Sequence, residues 1–119
     1  MGDPFVTRGK VVLVPFPFDD LSTVKLRPAV CLTDPVGAHR HVVLAFITSR
    51  VPTDLLESDV VLDSNGTDFA ITGLRVTSTL RLHRVMTVTT ALVRRELGEL
   101  SPRMETEVTG KLQKLFQLA

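Results

Sequence analysis

Leu26-Arg27-Pro28-Ala29-Val30-Cys31-Leu32 sets one always-charged guanidinium ahead of an apolar run, and its reading decides where the strands of this chain begin. Pro28 biases the preceding residue toward extended geometry and lacks a backbone donor, so it suits the first position of a strand and not its middle. On that reading Arg27 stands at a loop-to-strand junction. A second short apolar run, Val42-Val43-Leu44-Ala45-Phe46-Ile47, gives way to Thr48-Ser49-Arg50, so hydroxyls appear where the apolar pattern stops. Two strand ends of this kind can converge on one pocket.

Working outward, Gly9 to Phe16 reads as a strand, Pro15-Phe16-Pro17-Phe18-Asp19-Asp20 as its exit, and Leu21 to Leu26 as a polar, mobile loop. Ala29 to Thr33 is predicted as the second strand, Asp34-Pro35-Val36-Gly37 as a turn, His41 to Thr48 as the third strand and Val60-Val61-Leu62 as a fourth. Asp63-Ser64-Asn65-Gly66 turns again. Leu74 to Val88 alternates, with Arg75, Thr77, Thr79 and Arg81 on one parity and Leu74, Val76, Leu80 and Leu82 on the other, the pattern of a half-buried strand with a polar face. Residues 90 to 97 admit either a short helix capped by Thr90 or a strand through Leu92, Val93 and Leu97. Ser101 followed by Pro102 is a helix start signal, and Met104, Val108, Leu112 and Leu115 recur at helical spacing, predicting a helix over Ser101 to Leu118. Five or more strands and one terminal helix make a small, mainly β barrel.

The 119 residues suit a single domain, 1–119, because a chain of this size buries roughly two thirds of the surface its unfolded form exposes. Hydrophobic residues make up 44% and aromatics only 5%, with no Trp or Tyr, so the core is expected to be Val/Leu-rich β packing and any stacking falls to the six Phe. No basic segment precedes an apolar stretch at the N-terminus, and Val11 to Phe18 is too short and too proline-interrupted to cross a bilayer. The expectation is a soluble, cytoplasmic protein without a membrane segment. A lone Cys31 makes no internal disulfide, and three His with one Cys fall short of zinc spacing, so neither a disulfide nor a structural metal is expected.

Net charge is only +1, which lacks the global basic footprint of many nucleic-acid binders. The distribution says more. Val51 to Leu74 has no Lys or Arg but carries Asp54, Glu57, Asp59, Asp63 and Asp68. Ile71 to Arg95 has no Asp or Glu but carries Arg75, Arg81, Arg84, Arg94 and Arg95. This asymmetry can set a positive surface beside Arg27, and equally fits a solvated strand face with exposed charges.

Several motifs in order carry a resemblance. Arg8-Gly9, Val14-Pro15-Phe16-Pro17-Phe18-Asp19-Asp20-Leu21-Ser22 and Lys25-Leu26-Arg27-Pro28-Ala29-Val30 are followed by Ala45-Phe46-Ile47-Thr48-Ser49. Then come Thr72-Gly73-Leu74-Arg75-Val76-Thr77-Ser78-Thr79-Leu80-Arg81-Leu82-His83 and Leu97-Gly98-Glu99-Leu100-Ser101 before the helix. Together they resemble the MazF/PemK family of type II toxin-antitoxin ribonucleases, in its PemK-like branch. The resemblance implies an SH3-like β-barrel homodimer of the MazF/CcdB type that cuts single-stranded RNA at short sequences without a metal or other cofactor. It also implies silencing by a cognate antitoxin and binding of operator DNA only as the toxin-antitoxin complex. The family's catalytic Arg before Pro and Thr at the end of the third strand map onto Arg27 and Thr48, and Ser78 onto a substrate-contacting position. Ser49, Lys25, Arg81 and His83 complete the expected substrate-binding set. The chain departs from the family where Lys10 replaces an acid after the opening Gly, and in the loop from Ser22 to Leu26.

Metal-free RNA cleavage proceeds by attack of the ribose 2′-hydroxyl on the adjacent phosphorus and needs a base, an acid for the leaving 5′-oxygen and a donor for developing charge. Arg27 suits the last role, since its five donors match phosphate oxygens while a guanidinium is a poor base near neutrality. Thr48 can add one hydrogen bond. His83 is the candidate base, since imidazole is the side chain most often used for proton transfer near neutrality, against the plainer reading of a buried or solvated strand histidine.

Each of these residues has a structural rival. Arg27 could pair with Asp19 or Asp20, Thr48 could be an ordinary strand residue, and Phe16 and Phe18 could be core instead of base-stacking groups. His39 and His41 share a strand face with no third ligand, so they are expected to be exposed. Cys31 should be a small core hydrophobe, and the helix stripe core or dimer surface. An acidic, apolar antitoxin tail would occupy the positive groove to which Arg75, Arg81 and Arg84 contribute. Two rival functions are a non-enzymatic, CcdB-like toxin that poisons gyrase and a nuclease-dead nucleic-acid-binding module.

Overall fold

The computed structural model describes residues 6–17 and 24–118, in which the Val-rich runs form six strands ahead of one helix. The strands are β1 (Lys10–Pro17), β2 (Val24–Cys31), β3 (His41–Thr48), β4 (Asp59–Leu62), β5 (Ser78–Thr89) and β6 (Arg95–Glu99), and the helix is α1 (Pro102–Leu115). All strand pairs are antiparallel, in the order β4-β5-β3-β2-β1-β6, and the sheet curls into a half-barrel, the mainly β plan with a C-terminal helix that the sequence predicts. Among the described residues no helix is long and apolar enough to cross a membrane.

β2 is where the sequence reading needs correction. The strand begins at Val24, not Ala29, so Arg27 and Pro28 lie within it and not at its mouth. Its pairing explains how a proline is tolerated there. β1 flanks β2 from Pro17↔Val24 to Val11↔Val30, but β3 pairs with it only from Ala29↔Phe46 to Cys31↔Leu44. Pro28 thus lies in a stretch laddered on one side only, where a missing N–H leaves no second ladder incomplete. Phe18 to Thr23, including the first half of the predicted loop, lie outside the described residues, and its second half, Val24 to Leu26, is strand.

β3 matches its predicted bounds, and β4 is one residue longer than expected. The turn before β3 falls later than Asp34–Gly37, because a bridge between Val36 and His41 closes it around Gly37 and Arg40, both with positive φ. β5 starts only at Ser78. Before it, Gly73 turns the chain at φ 73°, and Val76 is exposed, so the alternation of residues 74–77 belongs to a bend and not to a sheet. Thr79, expected on a polar face, is fully buried and donates its hydroxyl to the Arg50 carbonyl at 2.8 Å. Both readings of residues 90–97 prove partly right. A 3-10 turn spans Thr90–Leu92, capped by Thr89 and not Thr90, and β6 follows.

Strand parity divides the apolar residues between two clusters. Val11, Val30, Ala45, Ile47, Leu62, Leu80 and Leu82 pack with Met104 and Val108 of α1. Val12, Val14, Ala29, Cys31, Val42, Leu44 and Phe46 form the second cluster. Cys31 is the expected small core hydrophobe, and burial pushes its thiol up to about 12, so it stays neutral. Two glycines let β6 meet the 3-10 turn at Ala70–Thr72. A Cβ on Gly73 would stand 2.0 Å from the Leu97 carbonyl oxygen, and one on Gly98 2.2 Å from that of Ile71. At the sheet edge Lys10 reaches Glu99 at 3.0 Å and Glu96 at 3.4 Å, tying β1 to β6 and giving the unusual lysine a structural role.

The start of α1 is fixed by a small polar relay. Ser101 Oγ accepts the Met104 N–H at 3.1 Å, and donates to Asp68 Oδ2 at 2.6 Å. Arg103 forks onto both Asp68 oxygens at 3.0 and 3.1 Å. These donors, Arg103 first and Ser101 second, lower the Asp68 carboxyl from its ordinary 3.8 to about 2. A carboxyl whose folded value is depressed stabilises the fold above its unfolded value and loses that contribution as pH falls through the folded one. The melting temperature of the native protein should therefore exceed that of Asp68→Asn above pH 3.8, and thermal melts should show the gap closing as pH approaches about 2.

Candidate active site

The register of β2 and β3 brings two chain segments to one place. The residue numbers of each pair, 29 with 46 and 31 with 44, run in opposite directions, so continuing the register by two residues sets Arg27 across from Thr48. Directly opposed residues of an antiparallel pair share a face, here that of Ala29 and Phe46. Val14 opposes Arg27 on the β1 side, and Phe16, two residues on, shares that face. Side chains of three strands thus converge where β2 and β3 part.

They enclose a cavity of about 200 Å³ lined by Phe16, Arg27, Phe46, Ile47, Thr48, Arg50 and Arg84. Phe16 and Phe46 meet edge to face, their centroids 4.7 Å apart and their planes at 68°, an arrangement that rigid aromatic pairs favour. Arg84 holds its guanidinium carbon 5.7 Å from the centre of the Phe16 ring, within cation-π range. No carboxylate or imidazole is among the described lining residues. Three guanidiniums, one hydroxyl and an apolar aromatic wall make a site for an anion, where a partly excluded solvent strengthens each charge-assisted hydrogen bond.

Arg27 and Thr48 are therefore brought together, and the other expected residues are not. Ser49 follows Thr48 and is exposed. Lys25 is exposed on β2, two residues from Arg27, and is not part of the lining. Ser78 is buried opposite Leu62, donates its hydroxyl to the Val76 carbonyl at 2.8 Å, and is not part of the cavity lining. Arg81 forks onto the buried Asp59, Nε to Oδ1 and Nη2 to Oδ2, both at 3.1 Å. The Asp59 carboxylate also accepts the Leu56 N–H at 2.8 Å, so this pair is part of the β4 framework. His83 lines a different cavity, about 380 Å³, with Leu56, Glu57, Ser58, Lys111, Lys114 and Leu115. Adjacent strand residues point to opposite faces, which is why Arg84 reaches the Arg27 cavity and His83 does not. His39 and His41 are exposed, as expected, and among the described residues no group of three metal-ligating side chains forms. Asp19, Asp20 and Phe18 lie outside the described residues.

The sequence reading names neither Arg50 nor Phe46 for the site, gives Arg84 only as part of a positive groove, and leaves Phe16 between base stacking and core. Arg50 could have been found from its place directly after Thr48-Ser49. Arg84 had only its acid-free segment to mark it, a signal it shared with Arg81. The two arginines part ways in three dimensions because Asp59 opposes Arg81 in the β4–β5 ladder.

Removing Arg81 strands a buried carboxylate, a loss of about 3 kcal/mol for a broken buried pair. Arg81→Ala should thus lower the denaturation midpoint strongly in an equilibrium urea titration, an effect that a purely substrate-binding arginine would not produce.

Residues 7–116 match the model of a family described as PemK-like, MazF-like toxin of type II toxin-antitoxin system. No curated protein sequence matches the chain. Solved structures are similar over nearly the whole length. A chain of MazE-MazF (Form-II) from Deinococcus radiodurans aligns with a TM-score of 0.75 at 20% identity, covering 98% of this chain and 100% of that one. The Mycobacterium tuberculosis toxin MazF-mt6 aligns with a TM-score of 0.67 at 23% identity, covering 92% and 98%. An endoribonuclease in complex with its cognate antitoxin, from a mycobacterial species, gives 0.67 at 19% identity, covering 95% and 96%. At these identities the likeness is one of fold.

Proposed function

The chain belongs to the PemK-like, MazF-like toxins of type II toxin-antitoxin systems, and from that premise we propose that it is a sequence-selective, metal-independent endoribonuclease. Its substrate is single-stranded RNA. It acts as a homodimer in the cytoplasm, and a cognate antitoxin with an acidic, apolar tail blocks it by filling the positive groove. The observation that carries this reading is the shared cavity of Arg27 and Thr48, with Arg50 and Arg84 around it.

The ribose 2′-hydroxyl attacks the adjacent phosphorus, the bond to the 5′-oxygen breaks, and the products are a 2′,3′-cyclic phosphate and a 5′-hydroxyl. Two negative charges gather on the phosphorane oxygens in passing. Arg27 meets them with paired N–H donors, and the Thr48 hydroxyl adds another to the same group. The family resemblance also gives Arg27 the proton transfer. With His83 lining another cavity, no near-neutral group competes for that role among the described lining residues. DNA, which has no 2′-hydroxyl, is not cut.

Purified protein should cut single-stranded RNA in the presence of EDTA. Arg27→Ala should slow single-turnover cleavage at least about a hundredfold, the usual cost of one donor to a developing oxyanion. RNA left intact across many sequences by the native protein would overturn the reading and favour a toxin that binds without cutting.

A further inference from the structure

Arg84 is a charge in the cavity for which the cleavage step has no use. It is exposed, makes no ion pair with a described carboxylate, and rests over the Phe16 ring. Its position is built into the sheet. Between the pairs Ala45↔Val85 and Ile47↔Leu80, four residues of β5, Arg81 to Arg84, stand against the single Phe46 of β3. Such an irregularity bends a strand and re-aims its side chains. Here Arg81 goes to Asp59, and Arg84 goes to the Arg27 cavity.

We propose that Arg84 is a second phosphate clamp, binding the phosphodiester next to the scissile one and so fixing the register of the RNA on Arg27 and Thr48. The assignment rests on the endoribonuclease reading. A guanidinium is suited to it by its permanent charge and its fork of donors, which reaches phosphate oxygens while the plane stays on an aromatic face. The Phe16 ring limits the motion of a side chain that would otherwise lose considerable rotamer entropy on binding. A nucleobase is less well served, because Phe46 and Arg84 already occupy the surroundings of the Phe16 ring. Arg84 would be a positioning residue that acts on substrate binding, in contrast to Arg27, which acts on the transition state.

Two measurements on the native protein, Arg84→Gln and Arg84→Lys test the assignment. The first is the salt dependence of affinity for a short single-stranded 2′-O-methyl oligoribonucleotide, which cannot be cut. Arg84→Gln should flatten the slope of log K against log salt by about 0.7, the increment for one phosphate contact on a single strand, and Arg84→Lys should retain it. The second is steady-state cleavage of unmodified RNA, in which Arg84→Gln should raise KM about tenfold, as for one charge-assisted hydrogen bond, with kcat changed less than about twofold. Equal slopes for native protein and Arg84→Gln, no binding of the oligoribonucleotide by the native protein, or a fall in kcat at constant KM would each overturn the proposal. A native protein that binds with the steeper slope but cuts no RNA would uphold the phosphate clamp and reject the endoribonuclease reading. Thermal melts of the three proteins should coincide, since an exposed side chain that pairs with no described carboxylate carries little of the fold.

Discussion

The short ladder between β2 and β3 is the constraint on which the site depends. Three residue pairs, Ala29 to Cys31 against Leu44 to Phe46, join the strands, and beyond Ala29 they part while β2 continues along β1. Had the ladder run on through Arg27 and Thr48, their backbones would be closed together. Their side chains would then stand on a flat sheet. Because it stops, the diverging strands leave a recess whose walls come from β1, β2, β3 and β5. Pro28 helps to enforce the stop, since it offers no N–H for a second ladder. The same residue that suggested a strand entry therefore marks the point where one ladder becomes two.

Among the described residues the lining of the recess carries arginines and no carboxylate, and several acids are held elsewhere in the frame. Asp59 is buried against Arg81 and Lys111 of the β4 side, with Lys111 donating to its carbonyl at 2.6 Å. Asp68 is held by Arg103 and Ser101 at the helix start, and Glu96 and Glu99 are held by Lys10 at the opposite edge of the sheet. In each case a carboxylate stabilises the packing of a β-strand or helix terminus. Arg27, Arg50 and Arg84 stand around the cavity. Among the described residues the charges thus follow one pattern, with acids in the frame and arginines at the opening.

Much of this was legible in the sequence. Strands such as His41–Thr48 and the helix from Ser101 carry strong local signals, an unbroken apolar run in one case and a cap followed by proline in the other; the strand has its expected bounds, and the helix starts as expected but ends at Leu115 and not Leu118. The pairing of Arg27 with Thr48 was reached through a family resemblance and not from spacing, because twenty residues of intervening chain say nothing about register. What local reading missed depends on tertiary context. Arg81 and Arg84 look alike in sequence, and only the β4 ladder separates them. Ser78 and Thr79 look like polar surface until the carbonyls that satisfy their hydroxyls inside the fold are seen. His83 is an imidazole, the side chain a general base calls for, but it lines a different cavity.

The central claim is that the Arg27–Thr48 recess directs a ribose hydroxyl, and not water, onto phosphorus. Mass spectrometry of the termini left by RNA cleavage in EDTA tests it most directly. The account predicts fragments ending in a 2′,3′-cyclic phosphate beside fragments beginning with a 5′-hydroxyl. Fragments ending in a 3′-hydroxyl beside a 5′-phosphate would contradict it.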